Sequence, residues 1–386
     1  MEASLESIVA NAQALLPNLS ERAAATERRR RLDETTFSEI RSAGLLKIFM
    51  PRRYGGYELD WGAQIQAGRA LANVCPSSGW IVSVVGSHAA YLGRLTKAAQ
   101  DDVWNDGEDV LVATGSVPLD PEVKVADGGF VMTGQWRFSS GIDHAAWVML
   151  SGTVAETGAM GFFLMPRSQV TIKDDWYVAG MSGTGSKSVV LDDSFIPEHR
   201  HMPFANFFGA RERGADVNEG SVYRADFQLF VGSAMLGPIV GAAEGALRLI
   251  QGLAMAGDSR LDRNDTAVQL LVAESAAEVS TAVCLLERLL ERQNYYAAHD
   301  VSATAADRLM LLQDRTFITR LCTRAIERLV NELDANNLFT DHPVQRLYRD
   351  LAAMAQQVGV NWDRNMSACG QKLLGLESNE GFLNVE

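Results

Sequence analysis

Between about Val110 and Phe208 the chain leaves helical periodicity for short apolar runs separated by turn residues, and after about Ser221 it returns to helical spacing. That order limits what the chain can fold into, because a block of strands must bury its apolar face against itself or against flanking helices. Gly129–Trp136, Trp147–Val154, Gly161–Met165, Val170–Trp176 and Ser188–Phe195 carry the strand pattern, with Phe130, Met132, Gly134 and Trp136 on one face at period two.

The C-terminal part shows two helical stripes. Val272, Ala276, Val279, Val283, Leu286 and Leu290 recur in steps of three and four, and so do Ile318, Cys322, Ala325, Leu329 and Leu333. Both predict the core of a helix bundle. Upstream, Thr36 with Glu39 has capping-box spacing, Gly44 can end the helix left-handed, and Pro51 stops it. The reading is α+β: an N-terminal helical domain (1–108), a central β-barrel-like domain (109–210) and a C-terminal four-helix bundle (211–386). No repeat or low-complexity linker separates them, so one interdependent unit is expected.

At 386 residues with 47% hydrophobic and 22% charged residues, the chain has the composition of an ordinary globular protein. A net charge of -13 would repel a polyanion, and the basic run Arg28–Arg31 is flanked by Glu27, Asp33 and Glu34, so it predicts a solvated helix face and no nucleic-acid partner. Cys75, Cys284, Cys322 and Cys369 lie far apart, which points to reduced thiols in a cytoplasmic protein and to no metal site. No uninterrupted apolar stretch suits a membrane span, and no secretory leader is expected.

Five segments in order carry a resemblance: Pro51-Arg52-Arg53-Tyr54-Gly55-Gly56, Ser77-Ser78-Gly79-Trp80, Trp136 to Trp147, Gly180-Met181-Ser182-Gly183-Thr184-Gly185-Ser186, and Gln345-Arg346-Leu347-Tyr348-Arg349-Asp350. With them the chain resembles the acyl-CoA dehydrogenase fold superfamily, in its branch of two-component, reduced-flavin-dependent monooxygenases. The resemblance implies the oxygenase component of such a system. It would use reduced FMN or FAD and O2, through a C4a-hydroperoxide, to hydroxylate an aromatic or heteroaromatic substrate, and assemble as a homotetramer. The chain has neither a Gly-x-Gly-x-x-Gly after a first strand nor a P-loop, so the flavin would arrive already reduced from a separate flavin reductase, diffusive transfer being one route.

The resemblance also implies site residues. Ser140 would stand against the flavin N5, with Phe138 and Trp136 along the walls. Gly183 and Gly185 would leave room for close approach, Thr184 and Ser186 would offer hydroxyls, and Arg260, with Arg263 as competitor, would meet the phosphate end. His88 and Ser116 fall where related phenol hydroxylases place groups near substrate and flavin, and Trp80, Tyr91 and His144 complete the expected lining. A short Gly-Ser turn, a satisfied buried histidine or a surface arginine would each look the same in sequence.

One position departs from the pattern. Phenol-hydroxylating relatives carry a histidine just beyond the Arg-Asp pair of the C-terminal helix, whereas counting on from Asp350 reaches Gln357. Gln356 and Gln357 can hydrogen-bond but cannot take a proton. Acyl-CoA dehydrogenases place a glutamate nearby, and residues 355–359 hold no carboxylate, leaving Glu244 or Asp226 as bases for that alternative. A phenol is strongly nucleophilic only after losing its proton, so an indole-like, neutral and electron-rich substrate is favoured. An acyl-CoA dehydrogenase with FAD and a non-catalytic ligand-binding relative are the other readings.

Overall fold

The computed structural model describes residues 3–105, 109–204, 217–223, 230, 232–257, 261–299, 301, 303–331, 333, 339–340 and 342–384. Among the described residues seven helices open the chain: α1 (Leu5–Ala14), α2 (Leu16–Arg29), α3 (Glu34–Ser42), α4 (Trp61–Ala72), α5 (Pro76–Trp80), α6 (His88–Leu92) and α7 (Lys97–Trp104). Between α5 and α6 the helix widens into a π turn at Ile81–Val85, a rare geometry often found beside functional sites. Helix α3 begins three positions earlier than the Thr36–Glu39 capping-box spacing suggests. Asp33 is the cap, accepting the Thr36 N–H at 2.6 Å, and Glu39 instead pairs with Arg22. The helix end matches expectation, with Gly44 at φ +75°.

Among the described residues eight strands form two four-stranded sheets. One has the order β1 (Val112–Gly115), β4 (Trp147–Thr153), β5 (Met160–Pro166), β8 (His201–Pro203), with β1 and β4 parallel. The other has the order β2 (Val117–Ala126), β3 (Gly129–Ser139), β7 (Lys187–Pro197), β6 (Thr171–Lys173), all antiparallel. Their shared core is Val123, Met132, Trp136, Leu150, Phe163 and Val189 with their neighbours.

Among the described residues five helices follow: α8 (Leu236–Met255), α9 (Thr266–His299), α10 (Ala305–Asn331), α11 (Pro343–Met354) and α12 (Trp362–Leu373). Both expected stripes face the core; Val279, Leu286 and Leu290 are buried on α9, and Ile318, Cys322, Ala325 and Leu329 on α10. Helix α8 lies close on α4 because Gly237, Gly241 and Gly245 have no side chain: a Cβ there would fall 2.3, 2.2 and 2.1 Å from the carbonyl oxygens of Ile65, Arg69 and Asn73. Arg69 then grips Glu244 with two hydrogen bonds of 2.9 and 2.6 Å across the same contact.

Among the described residues two helical segments are long and apolar enough to cross a membrane, Ser233–Met255 and Thr266–His299. The first is 83% buried within the protein; the second is 22% buried and presents Leu270 and Tyr295 to the outside. The basic run is not wholly solvated either. Arg30 makes a two-pronged contact to Asp174 at 2.9 and 2.7 Å and stacks over the Tyr177 ring, fastening α2 to the β domain.

Candidate functional site

The site is built where β3 ends. An extra residue interrupts the ladder between Trp136 and Ser139, whose partners on β7 are Val189 and Lys187. Such a bulge re-aims the side chains beyond it. Phe138 takes φ +65°, a left-handed conformation that costs a non-glycine residue of order 1–3 kcal/mol, and the residue is 53% exposed. Ser139 turns inward and is fully buried, while Ser140 stays half-buried.

The glycine segment meets this bulge. Its backbone folds as a single 3-10 turn, Ser182–Thr184, flanked by left-handed Met181 and Gly185, and the Thr184 carbonyl accepts the Gly141 N–H at 2.8 Å. The side chains then line up. Trp80 Nε1 donates to Ser140 Oγ at 3.3 Å, Ser140 Oγ lies 2.7 Å from Ser186 Oγ, and Ser186 Oγ lies 2.6 Å from Thr184 Oγ1. Thr184 Oγ1 donates onward to the Met181 carbonyl at 2.7 Å.

The C-terminal bundle holds the turn from behind. Asp350 on α11 accepts the Met181 N–H at 2.5 Å, and Arg349 donates to the Ala179 carbonyl at 2.7 Å while pairing with Glu27 of α2. Full burial pushes the Asp350 carboxyl up to about 6; the Met181 N–H and the guanidinium groups of Arg346 and Arg349 pull against that rise.

A second group sits on β1. His88 Nδ1 lies 2.7 Å from the Val112 carbonyl, which can only accept, so Nδ1 carries the proton and Nε2 keeps its lone pair. Thr114 Oγ1 stands 3.4 Å from that Nε2, and exposed Ser116 follows two residues on, just past the strand. Burial holds the His88 imidazole down to about 4, so it is neutral at physiological pH. The Tyr91 ring lies 5.2 Å from it. Trp80 and His88 belong to the two ends of the same π-interrupted helical segment, and Ile81 and Val85 between them pack against Gly141. The two groups are therefore linked through one helical segment.

Several expected positions are corrected. Trp136 is no cofactor wall: it is wholly buried between the sheets, its Nε1 donating to the Ser151 carbonyl at 2.7 Å. His144 stacks on Phe37 at 4.5 Å and donates to the Leu32 carbonyl at 3.0 Å, locking α3 to the β domain instead of lining a cleft. Gly183 leaves room for the protein, not a ligand, since a Cβ there would sit 2.6 Å from Thr26 and 2.9 Å from Ser77. The hydroxyls of Thr184 and Ser186 are buried and spend their bonds inside the chain described above. Gln357 Oε1 accepts the Gly359 N–H at 2.5 Å, closing the turn after α11. Arg260 and Asp226 lie outside the described residues, and Arg263 is exposed.

Asp350 was legible only as part of a motif, and Thr114 had no signal of its own. The role of Asp350 could have been suspected from a charged residue on the apolar side of an amphipathic helix, which needs a partner to be buried.

Comparison with known proteins agrees with this architecture. The acyl-CoA dehydrogenase N-terminal domain matches residues 5–105, and the acyl-CoA dehydrogenase C-terminal domain matches residues 233–362. The oxygenase subunit HsaA of a flavin-dependent monooxygenase from Mycobacterium tuberculosis (strain CDC 1551 / Oshkosh) is 32% identical over 358 residues, 90% of each chain. The oxygenase component of an FADH2-dependent resorcinol hydroxylase from Rhizobium sp. is 32% identical over 372 residues, 91% of this chain and 90% of the relative. Indole-3-acetate monooxygenase of Acinetobacter baumannii is 23% identical over 397 residues, 99% and 98% of the two chains. The crystal structure of the M. tuberculosis HsaA monooxygenase superposes with a TM-score of 0.91 at 30% identity, covering 98% of this chain and 99% of that one. Bulge, turn and bundle thus occur in a chain of which nine-tenths or more aligns with these enzymes, and it belongs to the acyl-CoA dehydrogenase fold family, in the branch of flavin-dependent monooxygenase oxygenase subunits.

Proposed function

We propose that this oxygenase component receives reduced FMN or FAD from a separate reductase, by diffusion, and hydroxylates a small aromatic or heteroaromatic substrate, an indole-like ring being favoured over a phenol. When bound, the reduced flavin supplies the two electrons with which one atom of O2 enters the substrate and the other leaves as water. The oxygen-transfer route expected from the resemblance belongs to the same reading.

The residues present fit a flavin. Ser140 Oγ keeps a lone pair open beside an aromatic ring, Phe138, that the bulge holds outward at a cost in backbone strain. Strain retained at an exposed aromatic residue is understandable when a planar ligand covers it. His88 Nε2 and Ser116 would meet the polar edge of the substrate, with Tyr91 and Trp80 as apolar lining.

The substrate preference rests on the shortage of a proton acceptor. Gln357 is an amide whose carbonyl is taken by Gly359, and His88 protonates only near pH 4 because an imidazolium would be buried. His88 Nε2 accepts from the Thr114 hydroxyl over a long 3.4 Å contact that an indole N–H or a phenol O–H would have to replace, and it is too weak a base to carry the phenolic proton away. An indole is nucleophilic without that loss. The thioester-dehydrogenation alternative finds no support at Glu244, which Arg69 holds in a two-pronged pair between α4 and α8.

Two further parts of the reading concern assembly and place. The exposed apolar residues Leu270 and Tyr295 on α9 support burial against further copies in a homotetramer, and three buried thiols with no disulfide suit a cytoplasmic protein.

The test is direct. The protein is mixed anaerobically with reduced FMN, then with O2 and either indole or phenol. Indole should be oxygenated and phenol left largely unchanged; efficient turnover of phenol alone would reverse the preference, and no binding of reduced flavin would end the reading.

A further inference from the structure

The hydroxyl chain has a direction. Thr184 Oγ1 stands 2.7 Å from the Met181 carbonyl oxygen, which cannot donate, so the one hydroxyl proton of Thr184 points there. Ser186, at 2.6 Å, must then donate to Thr184, and Ser140, at 2.7 Å from Ser186, must donate to Ser186. Trp80 Nε1, a donor only, occupies one lone pair of Ser140 at 3.3 Å. What Ser140 has left is its second lone pair. It is an acceptor with no proton to give.

We propose that Thr184 and Ser186 are positioning residues that fix Ser140 as a pure hydrogen-bond acceptor and thereby make the site select reduced flavin over oxidised flavin. This rests on the flavin reading above. The N5 of a reduced flavin carries a hydrogen and donates; the N5 of an oxidised flavin carries only a lone pair. Against the second lone pair of Ser140 the reduced form gains a hydrogen bond, and the oxidised form meets two acceptors facing each other. The selection is set three hydroxyls away from the ligand, by the Met181 carbonyl.

That carbonyl is itself held firmly. Met181 is left-handed at φ +59°, its N–H is tied to Asp350, and its oxygen also accepts Trp176 Nε1 at 3.1 Å. Reversing the chain would leave Thr184 Oγ1 and the Met181 oxygen in contact without a proton between them. The buried position of Thr184 and Ser186 keeps water from supplying one.

The experiment measures dissociation constants of reduced and oxidised FMN, the reduced form under anaerobic conditions, for wild type, Ser186→Ala, Thr184→Val and Thr184→Ser. Wild type should bind the reduced form more tightly. Ser186→Ala and Thr184→Val free the Ser140 proton to turn toward N5, so the ratio of the two constants should narrow by up to about tenfold, the size of one neutral hydrogen bond. The midpoint potential of bound FMN should fall in step, by about 30 mV per tenfold for a two-electron couple. Thr184→Ser keeps the hydroxyl and should behave as wild type.

An unchanged ratio in both deletion variants, or equal weakening of both redox forms, would overturn the relay while leaving flavin binding in place. Failure of folded wild type to bind reduced FMN would overturn both, and the thermal melt of the free protein tells that result from simple unfolding.

Discussion

Asp350 and Met181, 169 positions apart in the chain, are joined by a 2.5 Å hydrogen bond from the Met181 N–H to a carboxyl oxygen of Asp350. The bond ties α11 of the C-terminal bundle to the turn that carries Thr184 and Ser186. A buried carboxyl pushed up to about 6 takes its proton in the folded state before the unfolded chain does. Between about pH 4 and 6 the native state therefore holds more protons, and the stability tied to this group is present at low pH and lost as pH rises through 6. Asp350→Asn retains an acceptor for Met181 and removes the titration. Relative to wild type its stability should improve as pH rises from 4 to 7, by at most about 3 kcal/mol, as read from denaturant melts across that range.

His88 should act in the opposite sense. Its imidazole, held down to about 4 by burial, stays neutral in the fold while the unfolded chain protonates near 6.5. Stability from this group is complete above about 6.5 and declines as pH falls toward 4. His88→Gln should flatten that acid limb. It should also raise KM for substrate more than it alters flavin affinity, a split that steady-state kinetics and flavin titration can separate.

Ser140→Ala removes the acceptor proposed to face the flavin. Reduced FMN should bind about tenfold more weakly, while the affinity for oxidised FMN should change little or improve. Titration of both redox forms checks this; equal affinities with wild type would exclude Ser140 from the cofactor site.

Helix α8 offers a paired test of packing. A Cβ on Gly241 would lie 2.2 Å from the Arg69 carbonyl oxygen, so Gly241→Ala should force α8 off α4 and cost about 1–3 kcal/mol or more. Gly252, on the same helix, meets nothing within 4 Å, and Gly252→Ala should stabilise by about 0.5–1 kcal/mol. Urea unfolding of the two variants should move the midpoint in opposite directions.

The fold was readable where period alone decides burial. The stripe Ile318, Cys322, Ala325, Leu329 returns to one side of a helix whatever it packs against, and Met132 and Trp136 return to one side of a strand. The same regularity misled at the site. Trp136 obeys its period and goes into the sheet core, whereas Phe138 is re-aimed by a bulge that no residue pattern announces. His144 and Asp33 took local roles, one in a stack with Phe37 and one as a helix cap, because each found its partner within or beside α3.

By itself the sequence determined the helix–strand–helix order, the two bundle stripes and the family, because each depends on residue type and short-range spacing. Only the tertiary structure decided which hydroxyls face outward, which way their protons run, and that Asp350 anchors Met181. Those are contacts between residues far apart in the chain, and hydrogen-bond direction is a property of where the last acceptor stands.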